Sequence, residues 1–118
     1  MDQPSRHDEV FDSVAALFAL LAAPVRLKII SALCAGEKNV SQLLAEIDTT
    51  QSNMSQHLAT LYRAGLLAKR RDATQIHYRL QSQRVATLCR AVFNQVAMEL
   101  SGKEPVPAAQ RLVTTPLR

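Results

Sequence analysis

From Asp8 onward, apolar side chains return at intervals of three and four, with Val10, Val14, Leu17, Phe18 and Leu21 lining one side of a predicted helix. Pro24 suits the first turn of a second helix, where its missing N–H removes no bond. Leu27, Ile30 and Cys34 make that helix's stripe until Gly36 stops it. Asn39 opens a third helix, and Gln42 stands three residues on as the reciprocal half of a capping box. Its apolar face is Val40, Leu43, Leu44 and Ile47. Asp48 and Thr49 make a short turn, and Thr50 caps a fourth helix whose inward side is expected to be Met54, Leu58, Leu61 and Tyr62. Gly65 follows at the left-handed position that ends such a helix.

The period then changes from helical to alternating. Leu66, Ala68, Ile76, Tyr78 and Leu80 interleave with Lys69, Gln75, His77 and Arg79, which predicts two short strands joined at Arg71-Asp72-Ala73-Thr74. Ser82 caps a last helix with the stripe Val85, Cys89, Val92 and Val96, flanked by Leu88, Phe93 and Leu100, and Gly102 ends it. The element order is ααααββα, a mainly α chain with one small β-hairpin (α+β). Two short helices joined by a tight turn and followed by a basic hairpin predict a winged helix-turn-helix. Residues 1–7 are expected to be a disordered arm, 8–101 the folded domain, and 102–118 a flexible tail holding Pro105, Pro107 and Pro116.

At 118 residues the chain is one domain's worth, and 47% apolar content with no Trp implies an aliphatic core. The net charge of +4 favours a polyanionic partner. The polar opening lacks the apolar core of a signal peptide, and no apolar run approaches the ~20 residues of a membrane span. A cytoplasmic protein without a membrane partner is therefore expected, its two cysteines free thiols.

The chemistry concentrates at the start of the fourth helix. With Met54 and Leu58 inward, Gln51, Ser52, Asn53, Ser55 and Gln56 fall on the outer and flanking faces, behind Thr50. Amide side chains in the first two turns can pair with adenine edges in a major groove. Hydroxyls and the free amides of a first turn can hold phosphate oxygens. Ordinary capping of a solvated helix start would use the same residue types. The next stretch tips the balance, because Arg63, Lys69, Arg70 and Arg71 cluster at the helix end and along the hairpin, suited to a DNA backbone and minor groove.

Gln51-Ser-Asn-Met-Ser-Gln-His-Leu58, Ala64-Gly-Leu-Leu67, Ile76-His-Tyr-Arg-Leu80 and Pro24-Val-Arg-Leu-Lys-Ile-Ile30 together resemble the ArsR/SmtB repressors, a likeness running from about Val10 to Leu100. The resemblance implies a homodimer paired through the first and last helices. It also implies repression by binding a double-stranded DNA operator, with release by an effector or by thiol modification. Carried across residue by residue, the DNA contacts would be Gln51, Ser52, Ser55 and Gln56 in the helix and Arg70 and Arg71 in the wing. The tip departs from the family, with Ala73 and Thr74 where Gly and a basic residue are frequent.

The family's metal-binding positions hold other residues here. Asn39-Val40-Ser41 stands in place of a Cys-Val-Cys, and Ser82, Arg84, Gln95 and Met98 occupy the zinc positions of the last helix, so no metal and no cofactor is expected. Other members sense persulfides or oxidants with one cysteine on the second helix and one on the last. Cys34 and Cys89 match that outline, although the usual pair would align with Ser31 and Ala97. Both cysteines fall on stripes read as core-facing, so a thiol switch and plain core packing both stay open. A metalloid- or metal-responsive repressor with a non-standard site and a constitutive regulator are the further alternatives. No Gly-rich phosphate loop, His-Glu-x-x-His or Gly-x-Ser-x-Gly occurs, which speaks against an enzyme.

Overall fold

The computed structural model describes residues 5–102. Helix α1 (Arg6–Leu21) is capped by Ser5, whose hydroxyl accepts from the Asp8 amide at 3.1 Å, and Asp8 and Glu9 lie at the positive end of its dipole. The helix thus starts two residues before the apolar pattern does, because a polar cap and first turn carry no periodicity. The remainder of the expected arm, 1–4, and the tail from 103 lie outside the described residues. Helix α2 (Pro24–Cys34) begins on its proline and turns 90° from α1.

Beyond α2, Lys38 and Asn39 form a short strand, β1 (Lys38–Asn39), before α3 (Val40–Glu46). Both halves of the expected capping box are made: the Gln42 amide donates to Asn39 Oδ1 at 2.9 Å, and the Asn39 amide donates to Gln42 Oε1 at 2.8 Å. Helix α4 (Gln51–Arg63) starts at Thr50, whose hydroxyl accepts from the Asn53 amide at 3.0 Å. Gly65 follows its end with φ +84°, a conformation that disfavours any residue with a Cβ.

Strands β2 (Leu67–Asp72) and β3 (Gln75–Leu80) pair antiparallel, from Leu67 opposite Leu80 to Asp72 opposite Gln75. Ala73 takes the left-handed φ of +57° that so tight a turn requires. Strand β1 adds to the other edge of β3, with Lys38 opposite Tyr78 and Asn39 opposite His77, giving the order β1-β3-β2. The hairpin read from the sequence is therefore a three-stranded sheet. Two residues are too few to show alternation, and the capping signal of Asn39 masked their second role. Helix α5 (Gln83–Leu100), capped by Ser82, closes the domain.

The core gathers Ile29 and Ile30 of α2, Leu43 of α3, Met54, Leu58 and Leu61 of α4, Leu67 of β2 and Val85 of α5, all fully buried. Each such side chain contributes roughly 1.5–3 kcal/mol by leaving water. Among the described residues no polar or charged residue is buried with them. Helix α1 contributes only Leu21 to the buried set, while Val10, Phe11, Val14 and Phe18 are exposed. Along α5 the stripe divides: Val85, Ala86 and Cys89 are buried, and Val92, Val96, Met98 and Leu100 are exposed.

Two inward assignments are corrected. Tyr62 is 41% exposed and not core. It lies one residue past Leu61, on the edge of the α4 stripe, and its ring is covered by Lys69 instead. Cys34 is exposed as well. The buried face of α2 is Ile29, Ile30 and Leu33, and Cys34, its last residue, sits at the edge of that face.

Candidate nucleic-acid interface

On α4, Met54, Leu58 and Leu61 fix which side meets the core, and 100° per residue then places every polar group. Ser52, Gln56 and Arg63 run along the outermost line. Gln51, Ser55 and Tyr62 share one flank, and Asn53 and His57 the other. Gln51, Ser52, Ser55 and Gln56 are all exposed. Thr50 and Asn53 are engaged differently: beside the cap, Asn53 Nδ2 donates to the Thr49 hydroxyl at 2.7 Å. These two residues shape the helix entrance, and the other four present their polar ends outward.

The opposite flank is anchored to the rest of the domain. Arg26 of α2 donates from Nε to His57 Nδ1 at 2.9 Å and from Nη1 to the Leu20 carbonyl of α1 at 3.1 Å. Burial and the Arg26 charge both hold the His57 pKa below its ordinary value. The imidazole is therefore the neutral acceptor, with its proton on Nε2. The spacing of apolar residues gave no sign of this tie.

The wing has two unlike faces, since alternate residues of a strand point to opposite sides. Lys69 places its ammonium 4.3 Å from the centre of the Tyr62 ring, on the α4 side, and Arg71 shares that face. Arg70 lies on the other. It donates to both oxygens of Glu37, from Nη2 at 2.7 Å and from Nε at 3.0 and 3.1 Å. The Arg70 hydrogen bonds hold the Glu37 carboxyl below the usual carboxylate range, helped by the charges of Arg70, His77 and Arg79. The sheet is also joined to α3, where Asn39 Nδ2 donates to Gln75 Oε1 at 2.9 Å and Lys38 pairs with Glu46 at 3.3 Å. Of the expected wing contacts, Arg71 is thus open and Arg70 is engaged by Glu37. Glu37 carried no recognisable motif, because its partner lies 33 residues away.

The cysteines differ in the same way. Cys34 is exposed at the end of α2, and Cys89 is buried in α5, which packs on α2. Burial pushes the Cys89 thiol up, and a smaller contribution comes from the neighbouring Cys34 sulfur. Among the described residues no three His, Cys, Asp or Glu side chains gather as a metal-binding group.

A short helix pair with a polar, outward-facing second helix, set beside a basic sheet, defines a winged helix-turn-helix DNA-binding domain. Comparison with known proteins narrows the class. The profile of bacterial regulatory proteins of the arsR family matches residues 23–69. A biofilm growth-associated repressor of Agrobacterium fabrum is 41% identical over 80 residues, covering 68% of each chain. The crystal structure of the transcriptional repressor BigR from Xylella fastidiosa superposes with a TM-score of 0.70 at 34% identity, covering 77% of this chain and 95% of that one. A homodimeric winged helix-turn-helix DNA-binding domain from Mycobacterium bovis gives 0.72 at 28% identity, over 89% of this chain and 97% of its own. The chain belongs to the ArsR family of bacterial transcriptional regulators.

Proposed function

We propose that the chain represses transcription as a homodimer joined through α1 and α5, and that oxidation or persulfidation at Cys34 and Cys89 releases it from its operator. The observation that carries the DNA half is the exposed row of Gln51, Ser52, Ser55 and Gln56 at the start of α4, continuous with the cations of the wing. The amides read base edges, while the hydroxyls and the free amides of the first turn hold phosphates. The exposed apolar face of Val10, Val14 and Phe18 on α1, with Val92 and Val96 on α5, is the surface a second copy would cover. Pairing there sets two recognition helices about 34–36 Å apart, or a multiple of that, and calls for a roughly palindromic operator.

The thiol half rests on the contrast between the cysteines. The exposed Cys34 attacks a disulfide, diamide or persulfide, and Cys89, after losing its proton, attacks the Cys34 sulfur and expels the leaving group. A covalent link between α2 and α5 shifts α5, and with it the spacing of the recognition helices.

The test is fluorescence anisotropy with DNA from the gene's own promoter region, using protein first reduced and then treated with diamide or a persulfide donor. Reduced protein is expected to bind, and treatment to release it only while Cys34 and Cys89 are both present. Unchanged binding after treatment, with Cys34→Ser and Cys89→Ser behaving as wild type, makes the cysteines packing residues. A metal or metalloid effector, or constitutive binding, would then stand. Binding to an asymmetric single half-site would refute the dimeric operator.

A further inference from the structure

We infer that the Glu37–Arg70 pair is a brace that sets the pose of the wing, that Arg70 is a positioning residue, and that Lys69 and Arg71 are the wing's phosphate contacts. This rests on the DNA-binding reading above and refines which cations serve it.

Tyr62 lies on the α4 flank that also carries Gln51 and Ser55, eleven and seven residues back, and the Lys69 ammonium sits over its ring. The β2 face holding Lys69 and Arg71 therefore extends the same surface that presents the recognition residues. Arg70 projects to the reverse side, opposite His77 in the ladder, and meets a carboxylate in two-toothed geometry there.

The position of Glu37 gives the pair its role. It stands between Gly36, whose φ is +143°, and strand β1. It thus links the α2–β1 connection to the far strand of the sheet, across β3. The backbone pairing of β1 is only two residues long and is supplemented by the Asn39–Gln75 hydrogen bond to β3, whereas the Glu37–Arg70 pair reaches β2 itself. A planar guanidinium on a carboxylate fixes orientation as well as distance, which a single point contact does not. Because Arg70 directs its Nε and Nη2 hydrogens at Glu37, a phosphate would have to displace a matched partner to claim it.

Salt titration separates a brace from a contact. Each phosphate neutralised adds about 0.9 to the slope of log affinity against log salt, whereas a residue that only orients others changes affinity and leaves the slope alone. With non-specific duplex DNA as probe, Arg71→Gln should flatten the slope by about 0.9 for each subunit engaged. Arg70→Gln and Glu37→Gln should each weaken binding several-fold at every salt concentration, with the slope of the wild type. The exchanged pair Glu37→Arg with Arg70→Glu should recover most of the wild-type affinity, since it restores the link with the charges reversed.

Four results would overturn the proposal. The first is Arg70→Gln flattening the slope as a lost phosphate contact does, and the second is Glu37→Gln tightening binding and steepening the slope by freeing Arg70. The third is the exchanged pair binding worse than either single variant, and the fourth is both single variants matching the wild type. If wild-type protein bound no DNA at any salt, the DNA-binding reading itself would fail instead. Circular dichroism on each variant checks that helix content is retained.

Discussion

Helices α1 and α4 carry apolar stripes of similar regularity and meet opposite fates. In α4, Met54, Leu58 and Leu61 are fully buried within the chain's own core. In α1, Val10, Val14 and Phe18 keep the same spacing but lie open, with Phe18 54% exposed. The α4 stripe is closed by α2, α3, β2 and α5 of its own chain. The half made of α1 and the end of α5 leaves apolar side chains open among the described residues, the kind of surface that further packing covers. A stripe therefore announces that a face is to be covered, without saying by what.

The largest effect that would sharpen this contrast is expected in the closed half. Leu58→Ala removes a fully buried side chain at the centre of the core and should cost about 3 kcal/mol of stability, read from urea unfolding. A loss below about 1 kcal/mol would mean that the α4 stripe packs no better than an exposed one. In the open half, Phe18→Asp should leave the helix content of the subunit intact and weaken self-association by about 30-fold or more, equivalent to about 2 kcal/mol. Sedimentation at several concentrations measures it. An unaltered dimer would move the subunit interface away from α1, and a collapse in helix content would show that Phe18 supports its own chain.

The same contrast explains how much was legible in the sequence. Local chemistry was readable: the Asn39–Gln42 box and the Thr50 and Ser82 caps are formed by the residues expected, because each involves partners three positions apart. The polar front of α4 was readable too, since the helical period and two buried anchors fix it. Non-local pairing was not. Strand β1 exists only through its bonds to β3, and Glu37 gains its meaning only from Arg70. Tyr62 and Cys34 each lie at the rim of a stripe, where spacing alone cannot decide between core and solvent. Ala73 is a smaller case, for its left-handed backbone suits the Gly that a tight turn favours, yet the turn forms with Ala.

The smallest effect lies where the two halves are joined. Arg26 ties His57 of the recognition helix to the Leu20 carbonyl near the end of α1, so one guanidinium spans the closed and the open regions. His57 takes part as the neutral acceptor, its pKa lowered by burial first and the Arg26 charge second. In the unfolded chain the same imidazole protonates near its ordinary value of 6.5. Between the two pKa values the unfolded state binds more protons, so stability rises with pH there. The contribution of His57 is present above the unfolded value and is lost as pH falls through the folded one. Protonation also turns the acceptor into a donor facing a cation, which removes the tie. The urea midpoint of wild-type protein should therefore fall between about pH 7.5 and about pH 5.5 by more than that of His57→Gln, whose side chain accepts the same bond without titrating. Equal falls in the two proteins would mean that His57 does not couple the recognition helix to α1 through its charge, and that the halves communicate only through the packed core.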